Sequence, residues 1–376
     1  MTVQISAAFD SGNIRLIAIE DDRIDLEIVK DHESDFYQWF HFRAAGIRGR
    51  ALTFRILNAG GSAYPDGWPG YRARISTDRQ AWTTVDTRYA GGVLEFDWPA
   101  SSDADADIAW FAYFAPYSME RHHDLVGRMA AMPGVAARQL GATLDGRPLD
   151  CLTLGEGAKT VWLYARQHPG ETMAEWWMEG ALDWLTDADN ADAAALRRKA
   201  TFHIVPNMNP DGSFRGHLRT NAAGVNLNRE WHDPTPERSP EVLAVRNAMD
   251  QTGVTFAMDV HGDEAIPANF LAGFEGIPGW TDALGAKFYR FRDTLAERSA
   301  LFQTRQGYAT APAGKANLSM STNQLAERFG AVAMTLEMPF KDHEDLPDPA
   351  TGWSPDRCRR LAHDCLANLA AMIDDL

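Results

Sequence analysis

The residues able to do chemistry in this chain sit where apolar runs give out. The run KTVWLYAR (159–166) reads as a strand, and it empties into Gln167-His168-Pro169-Gly170-Glu171. A histidine and a glutamate three apart, at a strand end leading into a helix, can aim an imidazole nitrogen and a carboxylate oxygen at one point. That is a workable pair of metal ligands. Alone the pattern is weak, because a surface loop with an acidic residue at a helix start is spelled the same way and is favoured by the helix dipole. The run TFAMDVH then ends at His261 with polar residues directly behind it. Ligands in layered α/β folds gather at the carboxyl ends of strands. Two histidines and one glutamate leave a zinc ion an open position for water. In a third apolar run, AVAMTLEMPF, Glu337 is the lone charge. A buried carboxylate needs a partner, and beside a metal-held water it is a natural general base; the alternative is an ion pair on the strand's outer face.

A fourth element is the stretch PNMNPDGSFRGHLRTNAAGVNLNREW (206–231), with Arg215, Arg219 and Arg229 beside Asn226 and Asn228. Glycine and proline mark it as a structured loop after the strand-like run KATFHIV. A dense group of planar donors suits a carboxylate or a developing oxyanion. A solvated basic loop would look similar, but both asparagines and Arg229 stand in the apolar context GVNLNREW.

Elements must bring these residues together. Residues 1–117 read as an antiparallel β domain, with short alternating runs (IRLIAIE, IDLEIVK, QWFHFRA, LTFRILN, YRARIST, IAWFAYFAP) split by turn signals. From 118 to 376 strands interleave with helices, which implies an α/β layer structure with helices on both faces of a sheet. Helices are expected after Gly170 and over 191–199, 240–251, 281–299, 320–329 and 355–375. Ala/Asp-rich loops are expected at 100–107 and 187–195.

In this order, HPGET, NPDG, GVNLNREW, DVHGD and TLEMPF resemble the signature segments of zinc metallocarboxypeptidases of the carboxypeptidase A type. The resemblance is closer to the cytosolic carboxypeptidase subfamily, in a bacterial-type member, and QWFHFRA and FAPYS resemble segments of that subfamily's N-terminal domain. Each motif is weak, but five in order, covering nearly the whole chain, are specific. The resemblance implies an α/β fold with a mixed eight-stranded-type sheet flanked by helices, preceded by an all-β sandwich domain. It implies one Zn2+ held by His168, Glu171 and His261, with Glu337 activating the water. Arg219 matches the residue that polarises the scissile carbonyl, and Asn228 and Arg229 the pair that grips a terminal carboxylate. The partner is then the C-terminus of a peptide or protein.

Three points depart from the family pattern or leave it open. Asn226 stands where the broader family often has aspartate to orient a zinc-binding histidine; its amide oxygen can still accept an imidazole N–H, without charge. The family's mobile tyrosine has Tyr308 as its candidate. The subfamily's association with acidic C-terminal residues, often glutamate, calls for a cation in the pocket, and Arg305 and Lys315 lie in the relevant segment, with Arg215 a further basic candidate near the cleft. Two other readings stand beside the peptidase: a zinc amidohydrolase acting on N-acyl amino acids or murein peptides, and a binding protein that kept the fold and lost catalysis.

Composition narrows the field. The 376 residues are 45% hydrophobic and 23% charged, the profile of a globular protein. Thirty-six basic against 52 acidic residues give a net charge of −16, which opposes nucleic acid and anionic membranes. Cys151, Cys358 and Cys365 are too few and too scattered for a disulfide framework and suit a reducing compartment. No basic-then-apolar leader or membrane-length apolar run is present, so a cytoplasmic protein is expected.

Overall fold

In the computed structural model of the chain, which describes residues 2–98 and 106–376, the first region is built from nine strands. These are β1 (Gln4–Ser6), β2 (Arg15–Glu20), β3 (Arg23–Glu27), β4 (His41–Ala45), β5 (Leu52–Ile56), β6 (Arg72–Ser76), β7 (Thr83–Ala90), β8 (Val93–Trp98) and β9 (Ile108–Ala112). Alternation sets their faces: Leu52, Phe54 and Ile56 of β5 point inward while Thr53 and Arg55 do not, and Leu94, Phe96 and Trp98 repeat the pattern on β8. Aromatic rings fill the space between, with Phe54 and Phe42 lying 4.6 and 5.1 Å from Phe111. The strand order is β1-β4-β9-β6-β7-β8-β5-β3-β2. Its two halves join through β7, which pairs with β6 over Thr83–Asp86 and with β8 over Thr87–Ala90. One pair, β3 with β5, is parallel, a departure from the all-antiparallel expectation. Most of the Ala/Asp-rich tract at 100–107 lies outside the described residues.

The second region has the interleaved order expected. It contains α1 (Met119–Ala130), β10 (Val135–Ala142), β11 (Pro148–Leu154), β12 (Lys159–Ala165), α2 (Met173–Thr186), α3 (Ala191–Lys199), β13 (Ala200–Val205), α4 (Pro210–Arg215), α5 (Pro240–Thr252), β14 (Phe256–Asp263), β15 (Phe270–Ala272), α6 (Asp282–Arg298), α7 (Ser321–Phe329), β16 (Val332–Pro339) and α8 (Pro355–Met372). Its sheet runs β10-β11-β13-β12-β14-β16-β15. That is a mixed sheet, as expected, with seven strands among the described residues rather than eight. Beyond the three-residue β15 the chain leaves the edge to pack Phe274 against Trp280 and Phe288.

Every residue of β14 and β16 is buried, so these strands read as continuous apolar runs in which a polar residue stands out. Strands β12, β14 and β16 are parallel neighbours, and the chain leaves β12 for β13 on one side and reaches β14 on the other. The crevice at such a switch point opens at the strands' carboxyl ends. Buried Arg74 of β6 donates to the carbonyls of Phe340, Thr351 and Trp353, and Tyr113 stacks on Phe340 at 4.3 Å, so the two regions share an interface. Among the described residues no helix is long and apolar enough to cross a membrane. All three cysteines are buried and free.

Candidate active site

The loop after β12 is shaped by Arg166, which is buried and adopts a left-handed φ of 61°. Its guanidinium donates to Pro169 O at 3.0 and 2.6 Å, to Glu175 Oε2 at 2.7 Å and to Ser213 Oγ at 3.0 Å. These bonds fold the 166–169 segment tightly enough to sustain the backbone conformation. Gly170 then donates to Leu218 O at 2.9 Å, and a Cβ there would meet that same carbonyl, so only glycine lets the two loops approach.

This geometry brings His168, Glu171 and His261 together. His168 Nδ1 lies 2.7 Å from Glu171 Oε1, and His261 Nδ1 lies 2.7 Å from Glu171 Oε2. The two Nδ1 atoms are 3.1 Å apart. Two imidazole lone pairs cannot satisfy each other, so a cation between them and the carboxylate fits what the residues offer, and a His2Glu set suits zinc. The outer nitrogens are held in turn. His168 Nε2 meets Asn226 Oδ1 at 3.0 Å, while His261 Nε2 lies 2.9 Å from Asp259 Oδ2, off the hydrogen-bond direction. At His168 such a partner fixes the tautomer that leaves Nδ1 free for metal, whereas at His261 the Asp259 and Glu171 carboxylates push the imidazole well up against burial. Asp259 also accepts from Gln167 Nε2 at 2.6 Å and from Ser321 Oγ.

Glu337 stands beside His261 as its register partner on β16, with Oε2 buried and unpartnered. Burial, and then Glu171, Asp263 and Glu264, push its carboxyl well up, while His261 opposes them. Burial and then the Arg219 charge hold His168 down to about 3, keeping it neutral, as a ligand must be. A divalent cation at the convergence point would offset the acidic crowding around Glu337.

The donor loop borders this cluster. Asn228 Oδ1 accepts from Ser321 N at 2.9 Å, and Arg229 extends to solvent within the fields of Arg219, Tyr64 and Tyr308. The Tyr308 hydroxyl donates to Asp263 Oδ2 at 2.6 Å, and the residue is 50% exposed. Tyr308, Lys315 and Arg305 line one cavity of about 510 Å3, along with Phe270, Gln303 and Asn323. Arg305 is exposed and held by Asp345 at 2.6 Å. Arg215 is drawn elsewhere: it forks onto Asp145 at 2.8 and 3.0 Å and lines a surface hollow with Lys30, His32 and His217. Sequence reasoning passed over Asp259, Arg166 and Gln167, and it placed no site residue in the first region. Asp259 carried the same signal as Glu337, a charge inside an apolar strand.

A zinc peptidase domain behind a β domain is the class that fold and site define. The zinc carboxypeptidase description matches residues 125–267, and the cytosolic carboxypeptidase N-terminal domain description matches residues 5–114. A metallo-carboxypeptidase from Pseudomonas aeruginosa, solved in complex with (2-guanidinoethylmercapto)succinic acid, is 44% identical with a TM-score of 0.95 over 99% of both chains. A metallo-carboxypeptidase from Burkholderia cenocepacia is 42% identical with a TM-score of 0.95 over 100% of both. Human cytosolic carboxypeptidase 6 is 30% identical over 298 residues, 71% of this chain, and the aligned part spans 58% of that protein. The chain belongs to the zinc carboxypeptidase family, as a metallopeptidase with a cytosolic-carboxypeptidase-type N-terminal domain.

Proposed function

We propose that the protein is a zinc-dependent exopeptidase that removes the C-terminal residue of peptides or proteins, with acidic residues, glutamate above all, as its preferred leaving group. The observation that carries this reading is the convergence of His168 Nδ1, His261 Nδ1 and the Glu171 carboxylate beside unpartnered Glu337, with Arg219 and Arg229 at the margin. Zinc in that set supplies Lewis-acid polarisation of water and carbonyl. Glu337 takes the proton of the attacking water and passes it to the leaving amine. Arg219 donates to the oxygen on which negative charge develops. The Asn228 amide and the Arg229 guanidinium bind the terminal carboxylate, which restricts cleavage to chain ends. Tyr308 closes over the bound residue.

The preference for glutamate rests on Lys315. Of the cations lining the 510 Å3 cavity, Arg305 is tied to Asp345 and Arg292 to Asp293, whereas Lys315 makes no ion pair among the described residues. The net charge of −16 opposes long anionic tails and favours short or singly acidic ends. The cytoplasm is the expected compartment, on the free buried cysteines and the cytosolic relatives.

Zinc-loaded protein should be profiled on peptides ending in glutamate, aspartate, arginine and leucine, beside an N-acyl amino acid. Glutamate release should lead and weaken at high salt. Turnover of the acylated amino acid alone would replace the peptidase reading with an amidohydrolase. Arginine as the preferred end, which the guanidino group of the Pseudomonas ligand makes worth including, would overturn the acidic preference. Lys315→Ala should lower kcat/KM for glutamate about tenfold, and Arg305→Ala should change it little. Glu337→Gln should retain zinc and lose at least about a thousandfold in kcat; full activity would overturn the mechanism.

A further inference from the structure

The first region reaches into the site through one residue's surroundings. Asp31, on the loop after β3, is buried, and its carboxylate accepts four hydrogen bonds from the donor loop: Leu218 N at 2.7 Å, Arg219 N at 2.8 Å, and Thr220 N and Oγ1 at 3.0 Å each. The 31–36 loop is closed on itself by Asp31 N donating to Phe36 O at 2.8 Å. Phe36 and Tyr64, both from the first region, put their rings 5.5 and 5.4 Å from the Arg219 guanidinium carbon. The Tyr64 backbone is fixed in turn by Gln38, whose amide accepts from Tyr64 N at 2.8 Å and donates to Tyr64 O at 3.0 Å. Among the described residues the Arg219 side chain makes no hydrogen bond and no ion pair. Backbone bonds and two ring faces therefore hold this cation.

That choice of partners has a chemical consequence. A carboxylate would fix a guanidinium by occupying its N–H donors; an aromatic face fixes it through the ring quadrupole and leaves all five donors available. We propose that the N-terminal β domain is part of the catalytic apparatus, with Asp31, Phe36 and Tyr64 as positioning residues that hold Arg219 while keeping its donors free for the reacting carbonyl. This rests on the oxyanion role proposed for Arg219 above.

The test uses the zinc-loaded full chain and N-benzoylglycyl-glutamate as substrate. Phe36→Leu combined with Tyr64→Leu should lower kcat by about thirtyfold, with KM within about threefold and zinc content and melting temperature near wild type. Tyr64→Phe, which keeps the ring, should restore the Tyr64 share of that loss. Asp31→Asn should lower kcat in the same sense. The two leucine substitutions are then repeated in an Arg219→Ala background, where they should cost less than about twofold, because their effect runs through the missing guanidinium. If they cost as much there as in wild type, or if the loss falls in KM or in folding, the clamp is overturned while Arg219 keeps its role. If Arg219→Ala itself keeps wild-type kcat, the oxyanion role fails and the clamp falls with it.

Discussion

His122 and His168 are both buried imidazoles with a glutamate on Nδ1, Glu175 at 2.6 Å and Glu171 at 2.7 Å, yet they end in opposite charge states. Burial pushes both toward the neutral form. At His122 the Glu175 and Asp150 carboxylates, the latter 3.4 Å from Nε2, override burial and raise it to about 9. At His168 the group on Nε2 is the neutral amide of Asn226, and burial, with the Arg219 charge behind it, holds the ring down to about 3. One imidazole keeps its proton and completes an ion triad inside the protein. The other keeps a lone pair aimed at a second imidazole and a carboxylate. A histidine beside a glutamate is thus not a metal site by itself; His168 differs in that its Nδ1 also faces the Nδ1 of a second imidazole, His261, across the same glutamate.

The comparison breaks most visibly under substitution. Both groups, His168-Glu171-His261 and His122-His123-Asp150, have ligand atoms close enough to share an ion. Glu171→Ala or His168→Ala should abolish zinc binding and lower kcat/KM by more than about a thousandfold, since the set falls to two ligands. His122→Ala should leave one zinc per chain, measured by atomic emission on protein dialysed against trace zinc. A stoichiometry that falls from two to one in His122→Ala would show that both groups bind metal.

His122 titrates higher folded than its unfolded value near 6.5, so its contribution is fully present below about 6.5 and is lost as pH rises through about 9. The size is on the order of 3 kcal/mol from the shift. Urea unfolding of wild type and His122→Ala should therefore differ most near pH 6 and converge toward pH 9.5. A gap that widens with pH would mean the ring is neutral in the folded protein.

These two histidines also mark how far the sequence could be read. His168, His261 and Glu337 were legible because each follows, ends or interrupts an apolar run, and Glu171 because it stands three residues after His168; burial along β14 and β16 makes an interruption conspicuous. The helices expected over 191–199, 240–251 and 281–299 form over Ala191–Lys199, Pro240–Thr252 and Asp282–Arg298. Strand β10 was not: it lies at a sheet edge with most residues exposed, so no alternation marks it. Nor was the end of Arg215, whose partner Asp145 is 70 residues away. Asp31 reads as one more acid in a polar loop, and its partners lie 187 to 189 residues further on. Apolar patterning reports burial along a single element; it is silent on which distant polar groups a fold will pair.

The smallest effect tests the comparison at its root. His261 has a carboxylate, Asp259, near its outer nitrogen, whereas His168 has Asn226, so the two imidazoles that would share one ion are unequally supported. Asn226→Asp would keep the acceptor that also caps Asn228 N at 3.0 Å and would add a charge where His168 Nε2–H points. The added charge makes His168 a stronger donor to a metal, and removing or adding such a partner changes metal affinity by about tenfold or more. Zinc affinity measured against a competing chelator should therefore rise about tenfold, roughly 1.4 kcal/mol. The opposing term is Arg219: a new anion nearby could draw its guanidinium from the rings of Phe36 and Tyr64 and lower kcat while affinity rises. Tighter zinc with slower turnover would then say that the neutral amide is kept to leave Arg219 free. Unchanged zinc affinity would say that the group on the far nitrogen does not set the ligand strength of His168.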